Sequence, residues 1–227
     1  MRIKFTDLYK ANKYNASNIH QTIIKGVSNL IKKSSFVGGK EISDFEDSFA
    51  KFTNAKYCIG VGNGTDALEI AIEALNLKKG SEIIVPANTW ISTAEAVTRH
   101  GFKVVFCDIS LNDYTIDIKD LEKKISSNTS AIMVVHLYGY PANFEKIKRI
   151  SKIKKIKIIE DCAQAHGTMI KKKHVGTFGD IGTFSFFPGK NLGAYGDAGG
   201  IITNDTILNK KCRLIRNHGA LKKYAHE

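Results

Sequence analysis

YCIGVGNGTDALEIAIEAL (residues 57–75) combines three signals that together predict a strand, a turn and a helix. The first five residues form a short apolar run of the kind found in a buried strand. GNGTD then supplies residues that favour turns. A helix is predicted over 65–77, so this stretch indicates one β–α unit.

The same alternation of short strands and longer helices continues along the chain. Further apolar runs predict strands at 82–85 (EIIV), 103–106 (KVVF), 131–135 (AIMVV) and 156–160 (IKIIE). Helices are predicted between them over 89–100, 118–125 and 143–154. Strands that are apolar on both faces and alternate with helices are typical of an α/β fold with a mainly parallel sheet flanked by helices.

Both ends of the chain depart from this alternation. Apolar residues at helical spacing predict two amphipathic helices, 16–33 and 41–52, joined by a turn at Gly38 and Gly39. Nine glycines crowd into 167–200 around the runs IGTFSFF and GGIITN, which favours short strands and loops lining a site. A last helix is predicted over 206–216. We therefore expect an N-terminal helical segment, 1–53, and a larger domain, 54–227.

Composition excludes several classes of protein. The chain has 227 residues, of which 43% are hydrophobic and 25% charged, as in ordinary globular proteins. It contains no apolar run of 18 residues, which predicts that no helix crosses a membrane. Residues 1–13 lack the apolar segment of a secretory signal. We expect a cytoplasmic protein whose four separated cysteines stay reduced.

The formal net charge of +12 raises the question of an anionic partner. Lysines cluster locally at 152–157 (KIKKIK) and at 171–173. Neither run is interleaved with aromatic residues, as a surface that stacks on bases would be. We interpret both runs as solvated faces and predict no nucleic-acid partner and no membrane partner.

The glycine-rich turn GVGNGTDAL (60–68) is the first candidate for binding chemistry. Glycines allow close approach of the backbone, and the N-terminus of a helix attracts anions such as phosphate. The turn is not a dinucleotide-binding fingerprint, because Thr65 stands where the third glycine is required. A purely structural turn is the alternative.

Asp161 ends a strand that reads as buried, where parallel sheets bind their ligands. It is therefore placed to face a cofactor, although an aspartate there also acts as a helix cap or turn former. A metal site is the weaker alternative, because Asp161, Cys162, His166 and His174 do not have a familiar zinc spacing.

Lys190 follows an aromatic, apolar strand, where burial would favour the neutral, nucleophilic amine. A surface loop lysine is an equal alternative. Ser185, on the same strand, can offer a hydroxyl to the same ligand. Trp90, the only tryptophan, follows EIIVPANT and can stack on a planar ring, although a lone tryptophan is more commonly part of a core.

One cofactor uses all of these features. Pyridoxal phosphate needs an anion site for its phosphate, an aromatic face for its ring, a carboxylate beside its pyridine nitrogen and a lysine that forms a Schiff base. The segments NGTDAL, PANTWISTAEAV, EDCAQAHG, GTFSFFPGKNLGAYGDAGG and IRNHGALKKY resemble the DegT/DnrJ/EryC1/StrS family of nucleotide-sugar aminotransferases. This resemblance implies the fold-type I architecture of pyridoxal-phosphate enzymes.

The resemblance also implies a role for each candidate. Lys190 would bind the cofactor covalently and Asp161 would pair with the pyridine nitrogen. The remaining contacts would be to the phosphate (Gly64, Thr65, Ser185), to the ring face (Trp90) and to the phenolic oxygen side (Gln164). No metal is expected.

The resemblance implies a reaction that moves an amino group from glutamate to a nucleotide-linked keto-deoxy sugar. The lysine segment most resembles family members that act on dTDP-linked 3-keto-6-deoxyhexoses. Their amino-sugar products enter surface polysaccharide or glycosylated metabolites. Lys190 argues against the family's dehydratases, which carry histidine there. Family members are longer, so we expect a small C-terminal domain to be missing and a homodimer only at full length. The alternatives are an inert pyridoxal-phosphate-binding remnant and a nicotinamide-dependent oxidoreductase, which Thr65 disfavours.

Overall fold

The computed structural model describes residues 7–8, 19–222 and 225–226. The chain divides into two compact units, Met1–Phe45 and Glu46–Glu227. The first unit contains helix α1 (Ile19–Lys33) and the start of helix α2 (Lys40–Thr53). Residues 16–18 of the predicted first helix lie outside the described residues. Three apolar residues of α1 are at least 50% exposed: Ile24 (68%), Ile31 (59%) and Val27 (50%).

The second unit follows the predicted alternation of strands and helices. Its elements are β1 (Tyr57–Val61), α3 (Gly64–Ala74), β2 (Glu82–Pro86), α4 (Ser92–Arg99), β3 (Lys103–Cys107), α5 (Ile118–Lys124), β4 (Thr129–Val135), a 3₁₀ turn (Leu137–Gly139), α6 (Phe144–Lys154), β5 (Lys157–Asp161), β6 (Met169–Ile170), β7 (Lys173–His174), β8 (Ile181–Ser185), β9 (Gly199–Thr203), α7 (Thr206–Arg216), β10 (Ala220–Lys222) and β11 (Ala225–His226). None of the described helices is both long enough and apolar enough to cross a bilayer.

Seven strands form one sheet in the order β1-β9-β8-β5-β4-β2-β3. The pairs β2–β3, β2–β4, β4–β5 and β5–β8 are parallel, whereas β9 runs antiparallel to both of its neighbours. The prediction of an α/β fold with a mainly parallel sheet is therefore confirmed. Because β1 and β8 both run antiparallel to β9, the carboxyl ends of β1, β2, β4, β5 and β8 meet at one edge.

Each face of the sheet carries its own apolar core. Ala131 and Met133 of β4 face the cluster that includes α3 and α7, whereas Ile132 and Val134 face the cluster that includes α5 and α6. The alternation follows from the two-residue period of a strand, and two covered faces explain why the strands are apolar throughout. All four cysteines are buried and free.

Strand β1 lies at an edge of the sheet, and side chains cover its outward backbone groups. Glu46 accepts a hydrogen bond from the Gly60 N–H (2.9 Å). Arg213 donates to the Cys58 carbonyl (3.0 Å) and Arg216 to the Gly60 carbonyl (3.1 Å). Both arginines also pair with Glu46, at 2.8 and 2.5 Å. Helices α2 and α7 are thereby fixed to the edge, whose exposed groups would otherwise pair with another strand.

Among the described helices, two boundaries differ from the predicted ones by more than one residue. Helix α4 begins at Ser92 rather than at residue 89, so Trp90 lies before this helix and not within it, as the predicted range implied. Helix α3 ends at Ala74 rather than at residue 77, because Asn76 adopts the left-handed conformation (φ 49°), which stops a right-handed helix.

Candidate active site

A cavity of about 730 Å³ lies at the carboxyl-end edge of the sheet. All seven residues singled out in the sequence line it: Gly64, Thr65, Trp90, Asp161, Gln164, Ser185 and Lys190. They come from the last residues of β5 and β8 and from the segments that follow β1, β2, β5 and β8. The parallel strand order therefore brings together residues that are up to 126 positions apart in the chain.

Asp161 forms the buried end of the cavity, with only 6% of its surface exposed. Its Oδ2 accepts a hydrogen bond from the Thr93 hydroxyl (3.0 Å), and its Oδ1 accepts one from the Ala163 N–H (3.1 Å). Burial raises the pKa of this carboxyl, while these two hydrogen bonds and the charge of Lys190 act in the opposite direction. A cation placed beside Asp161 would add to that opposing effect and favour the carboxylate.

The neighbouring carboxylate, Glu160, has a structural task on the other face of β5. Its two oxygens accept hydrogen bonds from the N–H groups of Gly176, Phe178 and Gly179, at 2.8, 2.8 and 2.6 Å. Oε2 also lies 3.0 Å from Nε2 of buried His136. These contacts hold the loop before β8.

His136, Glu160 and Cys162 place potential metal-binding atoms within 4.8 Å of one another. Nδ1 of His136 accepts a hydrogen bond from the Ala142 N–H (3.2 Å), and Nε2 faces Glu160. Burial raises the pKa of the Cys162 thiol well above its usual range, which opposes formation of the thiolate that binds metals. The cluster is therefore explained as a hydrogen-bonded core element.

The turn after β1 forms the anion-binding side of the cavity. The Asn63 side chain caps α3 by accepting from the Asp66 N–H (2.8 Å). Gly64 and Thr65 are the first two helical residues, so their N–H groups have no acceptor within the helix. A Cβ atom at Gly64 would lie 2.7 Å from Cβ of Ser185. Only glycine therefore lets this helix end approach β8 so closely.

Lys190 and Trp90 lie on the cavity wall outside the regular elements. The Lys190 N–H donates to the Phe187 carbonyl (2.8 Å), which closes a turn directly after β8. The Lys190 side chain is half-buried. Trp90 is 74% exposed, so it is not part of the core of this chain. An exposed indole on a cavity wall is available to stack on the ring of a ligand.

Gln164 connects this cavity with a second one. Its Oε1 accepts a hydrogen bond from the Tyr138 N–H (2.8 Å), and Tyr138 has a left-handed conformation (φ 55°). The second cavity, of about 530 Å³, is lined by Tyr138, Gln164, Phe187, Gly189, Lys190 and Asn191. Because the Gln164 oxygen is engaged, its amide N–H groups are the ones left to serve a ligand.

Three further residues belong to the site but were not predicted. Thr93 bonds Asp161, Ser92 accepts from the Thr65 hydroxyl (2.8 Å), and Asn63 caps α3. Ser92 and Thr93 lie in the predicted helix, where hydroxyl residues usually indicate a cap. Asn63 belongs to the glycine-rich turn, so its capping role had a signal in the sequence.

His166 packs behind the lysine loop, with ring centroids 5.5 Å from Phe184 and 5.4 Å from Phe186. Burial lowers its pKa to about 4, with a smaller contribution from the charge of Lys190. The ring is therefore neutral near pH 7. It adds no positive charge beside the lysine.

The donor set of the main cavity fits pyridoxal phosphate. The free N–H groups at the start of α3 suit the phosphate, and the buried Asp161 carboxylate suits a cationic ring nitrogen. The absence of a side chain at Gly64 lets the first turn of α3 lie directly against Ser185 on this side of the cavity. The Lys190 amine lies on the wall of the same cavity.

Comparison with known proteins extends this result. Residues 17–227 match the DegT/DnrJ/EryC1/StrS aminotransferase family. The chain is 45% identical over 222 residues to dTDP-3-amino-3,6-dideoxy-α-D-galactopyranose transaminase from Aneurinibacillus thermoaerophilus, covering 98% of this chain and 60% of that relative.

Solved structures agree with the sequence match. DesV from S. venezuelae, solved with a ketimine intermediate, superposes with a TM-score of 0.93 at 34% identity, covering 100% of this chain and 60% of DesV. NtdA from Bacillus subtilis, solved with the cofactor PMP, gives 0.89 at 30% identity, covering 100% of this chain and 52% of NtdA. The chain thus spans 52–60% of the length of these relatives. On the family match and these similarities, the chain belongs to the DegT/DnrJ/EryC1/StrS aminotransferase family.

Proposed function

We propose that this protein is a pyridoxal-phosphate-dependent aminotransferase that moves an amino group from glutamate to a nucleotide-linked keto-deoxy sugar. One observation carries the proposal: a lysine amine, a buried carboxylate and a helix N-terminus line the same cavity. All of its predicted site residues lie in 54–227, which we propose as the cofactor-binding domain. The family membership and the PMP-bound relative support the choice of cofactor.

Each residue has a distinct task in this proposal. The N–H groups of Gly64 and Thr65, with the Ser185 hydroxyl, hold the phosphate at the positive end of α3. Trp90 packs on one face of the ring, and the Gln164 amide donates to the phenolic oxygen. Asp161 keeps the ring nitrogen protonated, and Thr93 and Ala163 fix the orientation of its two oxygens.

Lys190 both holds the cofactor and moves a proton. When bound, pyridoxal phosphate supplies an electron sink for the carbon that loses its proton. The Lys190 amine, once free, would accept the α-proton of the donor as general base and would deliver it to the cofactor carbon as general acid. Lys190 lines both cavities.

For the acceptor we propose a dTDP-linked 3-keto-6-deoxyhexose. The relative from A. thermoaerophilus is named for a dTDP-linked 3-amino-3,6-dideoxy sugar, which is the product expected from such an acceptor. We also propose a cytoplasmic homodimer. The uncovered apolar residues of α1 support self-association.

The test starts from the purified protein mixed with pyridoxal phosphate. Borohydride reduction followed by peptide mass spectrometry should place the cofactor on Lys190, and the K190A variant should show no labelled peptide. K173A serves as the matched control and should be labelled like the unaltered chain. A cofactor fixed on another lysine would contradict the assignment.

The second step measures 2-oxoglutarate formed from glutamate with dTDP-, UDP- and GDP-linked keto sugars. Formation with the dTDP-linked 3-keto-6-deoxyhexose alone supports the full proposal. Formation with another nucleotide only would overturn the choice of acceptor. Labelling of Lys190 without any amino transfer would favour the alternative of a binding protein without catalysis.

A further inference from the structure

The excess positive charge is concentrated in two short segments. Residues 144–155 and 171–173 carry nine basic residues and one acidic residue, Glu145, and so hold +8 of the net charge of +12. The rest of the chain has 25 basic and 21 acidic residues. A chain that is merely rich in lysine would spread this excess. We call these two segments the basic face.

The fold joins the two segments on one surface. Lys171, in the β6–β7 hairpin, forms an ion pair with Glu145 of α6 (2.5 Å). The Lys173 amine lies 4.6 Å from the centroid of the Phe178 ring, and that ring packs on Phe144 at 5.1 Å. The hairpin therefore lies against the first turn of α6, although the two lysine runs are separated in sequence.

Helix α6 is polarised between core and solvent. Phe144, Ile147 and Ile150 are buried against the sheet. The basic residues of the face are all exposed: Lys146, Lys148, Arg149, Lys152, Lys154, Lys155, Lys171, Lys172 and Lys173. Among the described residues, Lys171 is the only one of the nine with an ion-pair partner. The charges are thus available to a partner.

Two apolar side chains near these basic residues are exposed. Ile153, between Lys152 and Lys154, is 66% exposed, and Met169 at the start of the hairpin is 53% exposed. Exposed apolar groups among cations suit the boundary between lipid headgroups and acyl chains. The aromatic rings nearby, Phe144 and Phe178, are packed together under the hairpin and are not arranged to stack on bases.

We propose that the basic face binds an anionic phospholipid surface, with Ile153 and Met169 entering the interface. A membrane fits better than a nucleic acid because the face combines cations with exposed aliphatic groups and lacks a stacking platform. The inference does not rest on the proposed enzymatic function. It revises the interpretation of the two lysine runs as separate solvated faces.

The strength of such binding follows from charge. Each lysine close to an anionic membrane contributes about fivefold in affinity, so losing three should lower the partition coefficient roughly 100-fold. Screening shortens the range of the attraction, so raising the ionic strength should release the protein.

The experiment measures co-sedimentation of the whole protein with phosphatidylcholine vesicles that contain or lack phosphatidylglycerol. The face variant is K148Q/K152Q/K154Q, and the matched control is K25Q/K32Q/K33Q, which removes the same charge from exposed positions of α1. I153S tests the apolar contribution. Circular dichroism checks that every variant is folded.

The proposal predicts binding only to the anionic vesicles, loss of that binding in the face variant and retention in the control. I153S should weaken the part of the binding that remains at high salt, because that part depends on apolar contacts. Absence of binding by the unaltered protein would overturn the proposal, as would equal losses in the two triple variants. Equal or tighter binding to duplex DNA, lost in the same face variant, would assign the face to nucleic acid instead.

Discussion

Among single residues, Asp161 has the most direct influence on the proposed chemistry. Replacement by asparagine keeps the shape and removes the charge that would face the ring nitrogen. We expect D161N to slow the half-reaction with glutamate by roughly 10²–10⁴, the size typical of losing a major electrostatic contribution. Stopped-flow absorbance of the cofactor-loaded protein measures this rate. A rate within a few-fold of the original would contradict the role.

The same substitution, although it slows the proposed reaction, should stabilise the cofactor-free protein. Burial raises the pKa of Asp161 in the folded state, so the folded state binds the proton more tightly than the unfolded state. The free energy of unfolding therefore falls as pH rises from the ordinary aspartate pKa of about 3.9 through the raised folded value.

D161N removes this penalty, so its melting temperature should exceed that of the unaltered protein at pH 7. The difference between the two melting temperatures should shrink as the pH falls to about 3–4, near the ordinary pKa of aspartate. D197N is the control, because Asp197 lines the same cavity but is exposed. Calorimetry at both pH values measures the effect. A lower melting temperature for D161N at neutral pH would contradict the expectation.

Thr93 acts through Asp161 by holding its Oδ2 at 3.0 Å. A hydrogen bond to a charged group contributes about 1.5–3 kcal/mol, so T93V should weaken pyridoxal phosphate binding by roughly tenfold or more. T98V, on the exposed face of the same helix, should bind normally. Titration followed by cofactor absorbance compares the two variants. Equal affinities would show that Thr93 does not position the carboxylate.

Among the secondary-structure elements, edge strand β1 depends on its side-chain cover. Glu46 is 6% exposed. It accepts a hydrogen bond from the Gly60 N–H and forms ion pairs with Arg213 and Arg216. E46Q leaves two arginines without their counter-charge, and we expect a loss of about 2 kcal/mol in the free energy of unfolding. D47N, one position along and exposed, should change it by less than about 0.5 kcal/mol. Urea unfolding measures both, and similar values would contradict the prediction.

For the whole molecule, cofactor binding and folding should be linked. A ligand at a hundred times its dissociation constant stabilises the folded state by about 2.7 kcal/mol, which corresponds to roughly 5–10 °C in melting temperature for a chain of this size. Pyridoxal phosphate should produce this shift. Pyridoxal, which lacks the phosphate that α3 would bind, should produce a much smaller one. Equal shifts would show that the phosphate is not bound there.

Local sequence patterns predicted most of the secondary structure and singled out the residues that line the candidate site. Apolar period and turn residues act between neighbours in the chain, so strands such as 57–61 and the helix at 206–216 were readable directly. The rule that parallel strands bind ligands at their carboxyl ends, together with the family resemblance, then placed Asp161 and Lys190 at one edge.

Three features arise only in the folded chain. The bond from Thr93 to Asp161 spans 68 positions, the cover of β1 joins Glu46 to arginines 167 and 170 positions away, and the hairpin at Lys171 meets Glu145 across 26. Each depends on the strand order, in which antiparallel β9 inserts between β1 and β8. No local pattern encodes that order, because it results from which apolar faces pack together in space.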